Sequence, residues 1–251
     1  MAEKDITITR AGLKLAAKVS VPDTDKYDLV IFMYGFGGPK MPKNANTLIP
    51  DLAKTLQKQN LGTIIFDFAG HNQSEGNISD MTIFNQIEDA NKVLQYALQL
   101  KGVNHIYLLG HSQGGVVASM LAGYYADKIS KLVLLAPAAT LVDDARLGKS
   151  QGETYDPHHI PDKLRIHQEW DLNGFYFRTA QFLNVYDVAQ NFRGPVLDLH
   201  GAADKIINNY ASRHYQAIYD NCEFHLIPNG DHGLHVGRDE VMSRVVNFLA
   251  K

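Results

Sequence analysis

A single cysteine, Cys222, rules out an intrachain disulfide. It lies in the apolar run Cys222-Glu223-Phe224-His225-Leu226-Ile227 and is expected to be a small buried hydrophobe. No segment is long and apolar enough to span a bilayer. The N-terminal Met1-Ala2-Glu3-Lys4-Asp5 is charged and no apolar segment follows it, which argues against a secretory leader and makes a cytoplasmic location the expectation. Runs of Lys and Arg are absent, as are basic patches interleaved with aromatics, and the net charge is −3, so a polyanion partner has no support. Dinucleotide fingerprints and Walker sequences are missing; Gly35-Phe36-Gly37-Gly38 superficially resembles a phosphate loop but lacks the Lys-Ser/Thr that would follow. Histidine pairs such as His158-His159 have neither i,i+4 spacing nor a nearby carboxylate set, so neither a metal nor a cofactor is expected. There is no internal repeat, low-complexity tract or interdomain linker.

What remains is an ordinary globular composition, 45% hydrophobic and 20% charged, long enough for a large core. Short apolar, β-branched runs predict strands over 6–9, 13–21, 29–34, 63–68, 105–109, 131–135, 195–200 and 223–227. The first two form an antiparallel pair turning at Ala11-Gly12. Three-and-four spacing predicts helices over 46–59, 82–99, 113–125, 208–219 and 238–249; within 82–99 the apolar face is Ile83, Ile87, Ala90, Val93, Leu94 and Ala97. Strands separated by helices imply parallel crossovers, hence a mostly parallel α/β sheet covered on both faces. The alternation fails over 137–193, which shows no clean strand. That stretch begins just after a strand, at the edge where parallel sheets open to ligand, and is expected to be an inserted cap on a core formed by 1–136 and 194–251, the plainer alternative being a solvated excursion with its own small core.

Gly110-His111-Ser112-Gln113-Gly114 joins the apolar run 105–109 to a helix starting near Val116. This is G-x-S-x-G in a strand–turn–helix context, the pattern of a nucleophile elbow, in which flanking glycines avoid a Cβ collision with neighbouring strand or helix. It makes Ser112 the candidate nucleophile. A serine hydroxyl needs a base to accept its proton, usually a histidine held in one tautomer by an acid. In elbows of this kind the chain order is Ser, Asp/Glu, His. Strand 195–200 runs into Gly201-Ala202-Ala203-Asp204, and strand 223–227 into Pro228-Asn229-Gly230-Asp231-His232-Gly233. Asp204 and His232 are therefore the expected partners. His235 falls towards the following helix, His225 and Asp198 lie inside strands, and Asp231 is expected to shape the turn. An oxyanion needs two backbone N–H donors: Gln113, after the nucleophile, and Phe36, in the loop after strand 29–34. Gly37-Gly38-Pro39 can also be a plain tight turn.

The run Gly110-His111-Ser112-Gln113-Gly114-Gly115-Val116-Val117-Ala118-Ser119-Met120-Leu121-Ala122-Gly123 resembles the elbow of bacterial cinnamoyl (feruloyl) esterases of the α/β-hydrolase superfamily. So do Leu134-Leu135-Ala136-Pro137-Ala138-Ala139-Thr140-Leu141, Tyr155-Asp156-Pro157-His158-His159-Ile160-Pro161-Asp162 and Ile87-Glu88-Asp89-Ala90-Asn91. The resemblance spans almost the whole chain. It implies an α/β-hydrolase fold with an inserted cap, and hydrolysis of hydroxycinnamate esters. It also implies that Asp144, Gln151 and Tyr176 meet the phenolic end of the substrate, where a buried ring hydroxyl needs a polar partner. From the residues alone, Asp144 is equally a solvated acid beside Asp143, Gln151 a turn residue beside Gly152, and Tyr176 core. The chain departs from the family at Tyr34-Gly35-Phe36, where His-Gly-Phe is usual, and at Gly70-His71-Asn72-Gln73-Ser74, where Gly-His-Gly-Asp-Ser is commoner.

The expected partner is a small-molecule ester, with no nucleic acid and no membrane; a homodimer is among the open oligomeric states. A general short-acyl carboxylesterase or monoacylglycerol-type lipase would use the same triad under a different cap, and thioesterases and peptidases share these residues too. A non-catalytic binding module on a hydrolase scaffold is the remaining alternative.

Overall fold

The computed structural model describes residues 1–37 and 48–250. Gly38 and Pro39 of the glycine-rich loop, and the first two residues of the expected helix 46–59, lie outside them. Among the described residues no helix is long and apolar enough to cross a membrane.

An eight-stranded sheet organises the fold. Its strands are β1 (Ala2–Arg10), β2 (Leu13–Val21), β3 (Tyr27–Met33), β4 (Gly62–Phe66), β5 (Val103–His111), β6 (Ile129–Leu135), β11 (Val196–Gly201) and β12 (Cys222–Ile227). Their spatial order is β1-β2-β4-β3-β5-β6-β11-β12. β1 pairs antiparallel with β2, and β2 with β4; every pairing from β4 to β12 is parallel. The β1–β2 turn falls at Ala11-Gly12, both at positive φ (49° and 85°), the combination a tight two-residue hairpin demands.

The parallel strands are rich in apolar residues on both faces because both faces are covered. Along β3, Leu29, Ile31 and Met33 pack into a cluster with α2 (Ile83–Ala97) and α3 (Gln113–Tyr124). Val30 and Phe32 alternate into a second cluster with α1 (Leu48–Gln57) and α8 (Arg238–Leu249). The same period of two divides Leu132 and Leu134 from Val133 and Leu135 on β6. Fully burying each such side chain is worth about 1.5–3 kcal/mol. Thr82 caps α2, its hydroxyl accepting from the Asn85 amide at 3.0 Å. On α2 the buried Asp89 accepts from Arg10 of β1 and from the Ala69 amide after β4. Cys222 is only partly buried, at the edge of the first cluster.

The stretch 137–193 is more structured than the sequence suggested. It holds α4 (Leu141–Arg146), the hairpin β7 (Lys149–Ser150)–β8 (Glu153–Thr154), the hairpin β9 (Lys163–Ile166)–β10 (Trp170–Asn173), α5 (Gly174–Ala180) and α6 (Val185–Ala189). The expectation of no clean strand is corrected: these strands are two to four residues long and lack sustained alternation, so their turns define them. Gln151-Gly152 has positive φ at both residues (51° and 85°), and His167 and Gln168 do the same in the second hairpin. α7 (Tyr210–Ile218) completes the fold between β11 and β12.

Candidate active site

β5 ends one residue before Ser112, and α3 begins one residue after it. Ser112 holds φ 55° and ψ −123°, a conformation L-residues rarely adopt. Hydrogen bonds pin it there: its amide donates to Leu135 O, and its carbonyl accepts from Gly115 N and Ala138 N. The motif's glycines have the expected steric cause. A Cβ on Gly110 would lie 2.2 Å from Gly114 O, and one on Gly114 2.3 Å from Met33 O. Strand, elbow and helix thus touch backbone to backbone.

The loops after β11 and β12 bring the other two residues to this edge. The Ala202 and Ala203 amides donate to Ile227 O and Gly230 O, tying the loops together. Ser112 Oγ lies 2.9 Å from His232 Nε2, and His232 Nδ1 lies 2.8 Å from Asp204 Oδ2. The carboxylate fixes the tautomer: Nδ1–H donates to Asp204, leaving Nε2 to accept from Ser112. Asp204 Oδ1 accepts the Ile206 and Ile207 amides at 2.8 and 3.0 Å. Burial alone would raise the Asp204 carboxyl. Hydrogen bonds from His200, His232 and the Ile207 amide outweigh it and hold the group well below the usual carboxylate range. Asp231 shapes the His232 loop, accepting from the His235 and Val236 amides.

The chain matches the α/β-hydrolase fold family over residues 28–185, more than half its length. The chain belongs to that family. The structure of Est1E from Butyrivibrio proteoclasticus with ferulic acid bound is similar over 97% of each chain, at 32% identity and a TM-score of 0.92. A Mycoplasma genitalium protein bearing an esterase/lipase name is 29% identical over 110 residues, which span 44% of this chain and only 38% of that relative. Mouse alpha/beta hydrolase domain-containing protein 10 matches over 98% of each chain at 18% identity and a TM-score of 0.72, a likeness of fold alone.

The loop after β3 lies against the elbow: a Cβ on Gly35 would sit 2.8 Å from Ser112 Cβ. The Gln113 amide opens α3, where no intrahelical acceptor exists for it. Phe36 belongs to the same loop as Gly35. Its ring packs edge-on against Trp170 and His167 of the β9–β10 hairpin, at 5.3 and 6.2 Å between centroids. Tyr34, in place of the usual histidine, is buried, and burial together with Asp67 drives its hydroxyl far up, so it stays neutral. Asn72 stands at φ 43°; asparagine tolerates this region, and its amide donates to Asp67 at 2.9 Å.

Ser112, Phe36 and His232 line a cavity of about 1000 Å3 whose wall also includes Asp144, Gln151 and Tyr176. Of the adjacent acids, Asp143 is exposed and accepts from Tyr210, whereas Asp144 faces the cavity. Gln151 is both a turn residue and part of the cavity wall. Tyr176 is buried, with its hydroxyl in the cavity wall.

Sequence reasoning missed what holds these groups. Tyr176 O–H donates to Gln113 Oε1 at 2.9 Å, and Gln113 Nε2 donates to Gln86 Oε1 at 2.8 Å. Both glutamine Nε2 atoms also face Met81 Sδ, at 3.3 and 3.5 Å. A thioether cannot donate, so the sulfur fixes both amide orientations and makes Gln113 Oε1 the acceptor. The available signal was Gln86, which with Asp89 is polar among the mainly apolar buried positions of α2. In G-x-S-x-G, His111 is a variable position, so the motif gives it no role. Its Nε2 lies 2.9 Å from His232 O, and burial, reinforced by His232, lowers its imidazole to about 4.

Proposed function

We propose that the protein is a serine carboxylic ester hydrolase that cleaves hydroxycinnamate esters through an acyl-enzyme. The observation that carries this reading is the Ser112–His232–Asp204 hydrogen-bonded line, with contacts of 2.9 and 2.8 Å, in the wall of a cavity that also presents Asp144, Gln151 and Tyr176. Likeness to Est1E, seen with ferulic acid, supports the substrate class. His232 Nε2 takes the Ser112 proton as Oγ attacks the ester carbonyl. Asp204 holds the imidazolium that forms. The Phe36 and Gln113 amides receive the oxyanion; losing one such donor typically costs about 10²–10³ in rate. His232 then gives its proton to the leaving alcohol and activates the water that frees the acid. Residues 137–193 act as the cap, with the polar trio meeting the substrate's ring hydroxyl.

Side-by-side hydrolysis of methyl ferulate and p-nitrophenyl butyrate, with Ser112→Ala as control, tests this. Higher kcat/KM on the ferulate, abolished in the variant, is the expected result. Activity on the butyrate alone would leave the triad standing and discard the substrate class, in favour of a general short-acyl esterase. Failure of a fluorophosphonate to label Ser112 would remove the nucleophile itself.

A further inference from the structure

Beyond Asp204 the hydrogen bonds continue into the core through groups the reaction above does not use. Asp204 Oδ2 lies 3.1 Å from His200 Nε2, which is also 3.1 Å from Ile207 O. His200 Nδ1 lies 2.7 Å from Ser212 Oγ, and Ser212 Oγ 2.9 Å from Asp198 Oδ1. His200, Ser212 and Asp198 are fully buried. The line joins β11 to α7 behind the triad.

The number of hydrogens in this line is constrained. His200 Nε2 faces a carboxylate and a carbonyl, both acceptors, so it carries a proton. The two remaining contacts, Nδ1 to Oγ and Oγ to Oδ1, each need a hydrogen between their heavy atoms, and Ser212 brings one. With His200 neutral and Asp198 ionised, one of these short contacts would set lone pair against lone pair. A second hydrogen is required. It sits either on His200 Nδ1, giving an imidazolium against Asp204, or on Asp198, giving a neutral acid that donates to Ser212 while Ser212 donates to a neutral His200.

We propose that Asp198, Ser212 and His200 share one buried proton and act, through Asp204, as a positioning unit that adjusts how strongly Asp204 holds a charged His232. The proposal rests on the triad reading. As His232 becomes an imidazolium, the Nδ1–H hydrogen passes to Ser212 Oγ while the Ser212 hydrogen passes to Asp198 Oδ1. One N–H and one O–H bond break and two O–H bonds form, with no net gain of atoms or charge. The positive charge then leaves His200, and Asp204 faces one cation rather than two. The groups facing Asp198 are Tyr186 of α6, Tyr215 of α7, Tyr219 beyond it, Cys222 of β12 and His200 of its own strand. Of these only His200 can be a cation. At the other end, His111 from β5, and His235 paired with Asp231, lie around His232. In agreement with the hydrogen count, burial pushes the Asp198 carboxyl up to about 7, against the pull of Ser212 and His200.

The test uses the whole protein labelled with 15N-histidine, followed by NMR between about pH 5 and about pH 9. The expected His200 Nδ1 shift lies between the protonated and bare values and moves towards bare on the acid side, where His232 is charged. In Asp198→Asn, whose amide supplies the missing hydrogen to Ser212, it is pinned at the bare value. In that variant the acid limb of kcat/KM on p-nitrophenyl butyrate moves to higher pH by about half a unit or more, because no cation competes for Asp204. A wild-type Nδ1 that stays bare throughout, or a folded Asp198→Asn with an unmoved acid limb, overturns the proposal. Should Asp198→Asn not fold, the wild-type titration still decides. Fluorophosphonate labelling separates the two readings: unlabelled Ser112 sinks the triad, whereas labelled Ser112 with a bare His200 sinks this proposal alone.

Discussion

His111 Nε2 lies 2.9 Å from the backbone carbonyl oxygen of His232, so the residue before Ser112 holds the main chain of the residue whose ring meets Ser112 Oγ. Two sides of the candidate site, 121 residues apart in sequence, are tied without Ser112 Oγ or the His232 ring being used. The imidazole is neutral above about 4, so at working pH it donates Nε2–H as a neutral ring.

Replacing His111 by Ala should lower kcat/KM by about 10- to 100-fold, since small displacements of a base cost that much, with the loss mainly in kcat. Steady-state kinetics on p-nitrophenyl butyrate checks it. Stability supplies a second sign. The folded value is depressed below the ordinary 6.5, so between about 4 and 6.5 the unfolded chain binds more protons and His111 makes wild-type stability rise with pH. Denaturant melts across that window should show a shallower rise in the variant.

Ser112→Gly should be more stable than Ser112→Ala by about 1 kcal/mol, because glycine adopts φ 55° without strain and alanine does not. Both should lose about 10⁶ in kcat. Urea midpoints of the two variants give the comparison; equal midpoints would mean the elbow stores no such strain.

Gln113→Leu keeps the backbone amide but leaves the Tyr176 hydroxyl and Gln86 without their shared partner. A loss of about 1–3 kcal/mol in stability is expected. KM for methyl ferulate should rise more than KM for p-nitrophenyl butyrate, since only the former is expected to use Tyr176. An equal rise for both would separate Tyr176 from substrate recognition.

Asp198 bears on stability in the opposite sense to Asp204. Its folded value, about 7, stands above the ordinary carboxylate value of about 3.9, so its contribution is whole below that lower value and is lost as pH rises through about 7. Asp198→Asn should therefore gain stability relative to wild type more at about pH 8 than at about pH 5. Thermal melts at the two pH values measure the difference.

Much of the scaffold was legible in the chain. β2 and α8 begin and end at the residues that periodicity indicates, 13–21 and 238–249, because apolar spacing there reports burial directly. The elbow and the order Ser112, Asp204, His232 were legible for a related reason. In a parallel sheet every loop after a strand opens on the same edge, so placing a residue just past a strand places it at the site. The short hairpins of 137–193 were not legible. Their strands are too brief to show a period, and their turns depend on positive φ at Gln151, His167 and Gln168, residue types that do not advertise it.

The sequence by itself determined the sheet, the reaction class and the three residues in line, since each follows from local pattern plus position along a strand. Tertiary structure alone decided which polar groups support them. His111 meets the His232 carbonyl, Gln113 meets Gln86 and Tyr176, and His200 and Ser212 lead from Asp204 to Asp198. Such partners are chosen by which side chains converge in a space closed to water, where every donor must find an acceptor, and no spacing along the chain encodes that convergence.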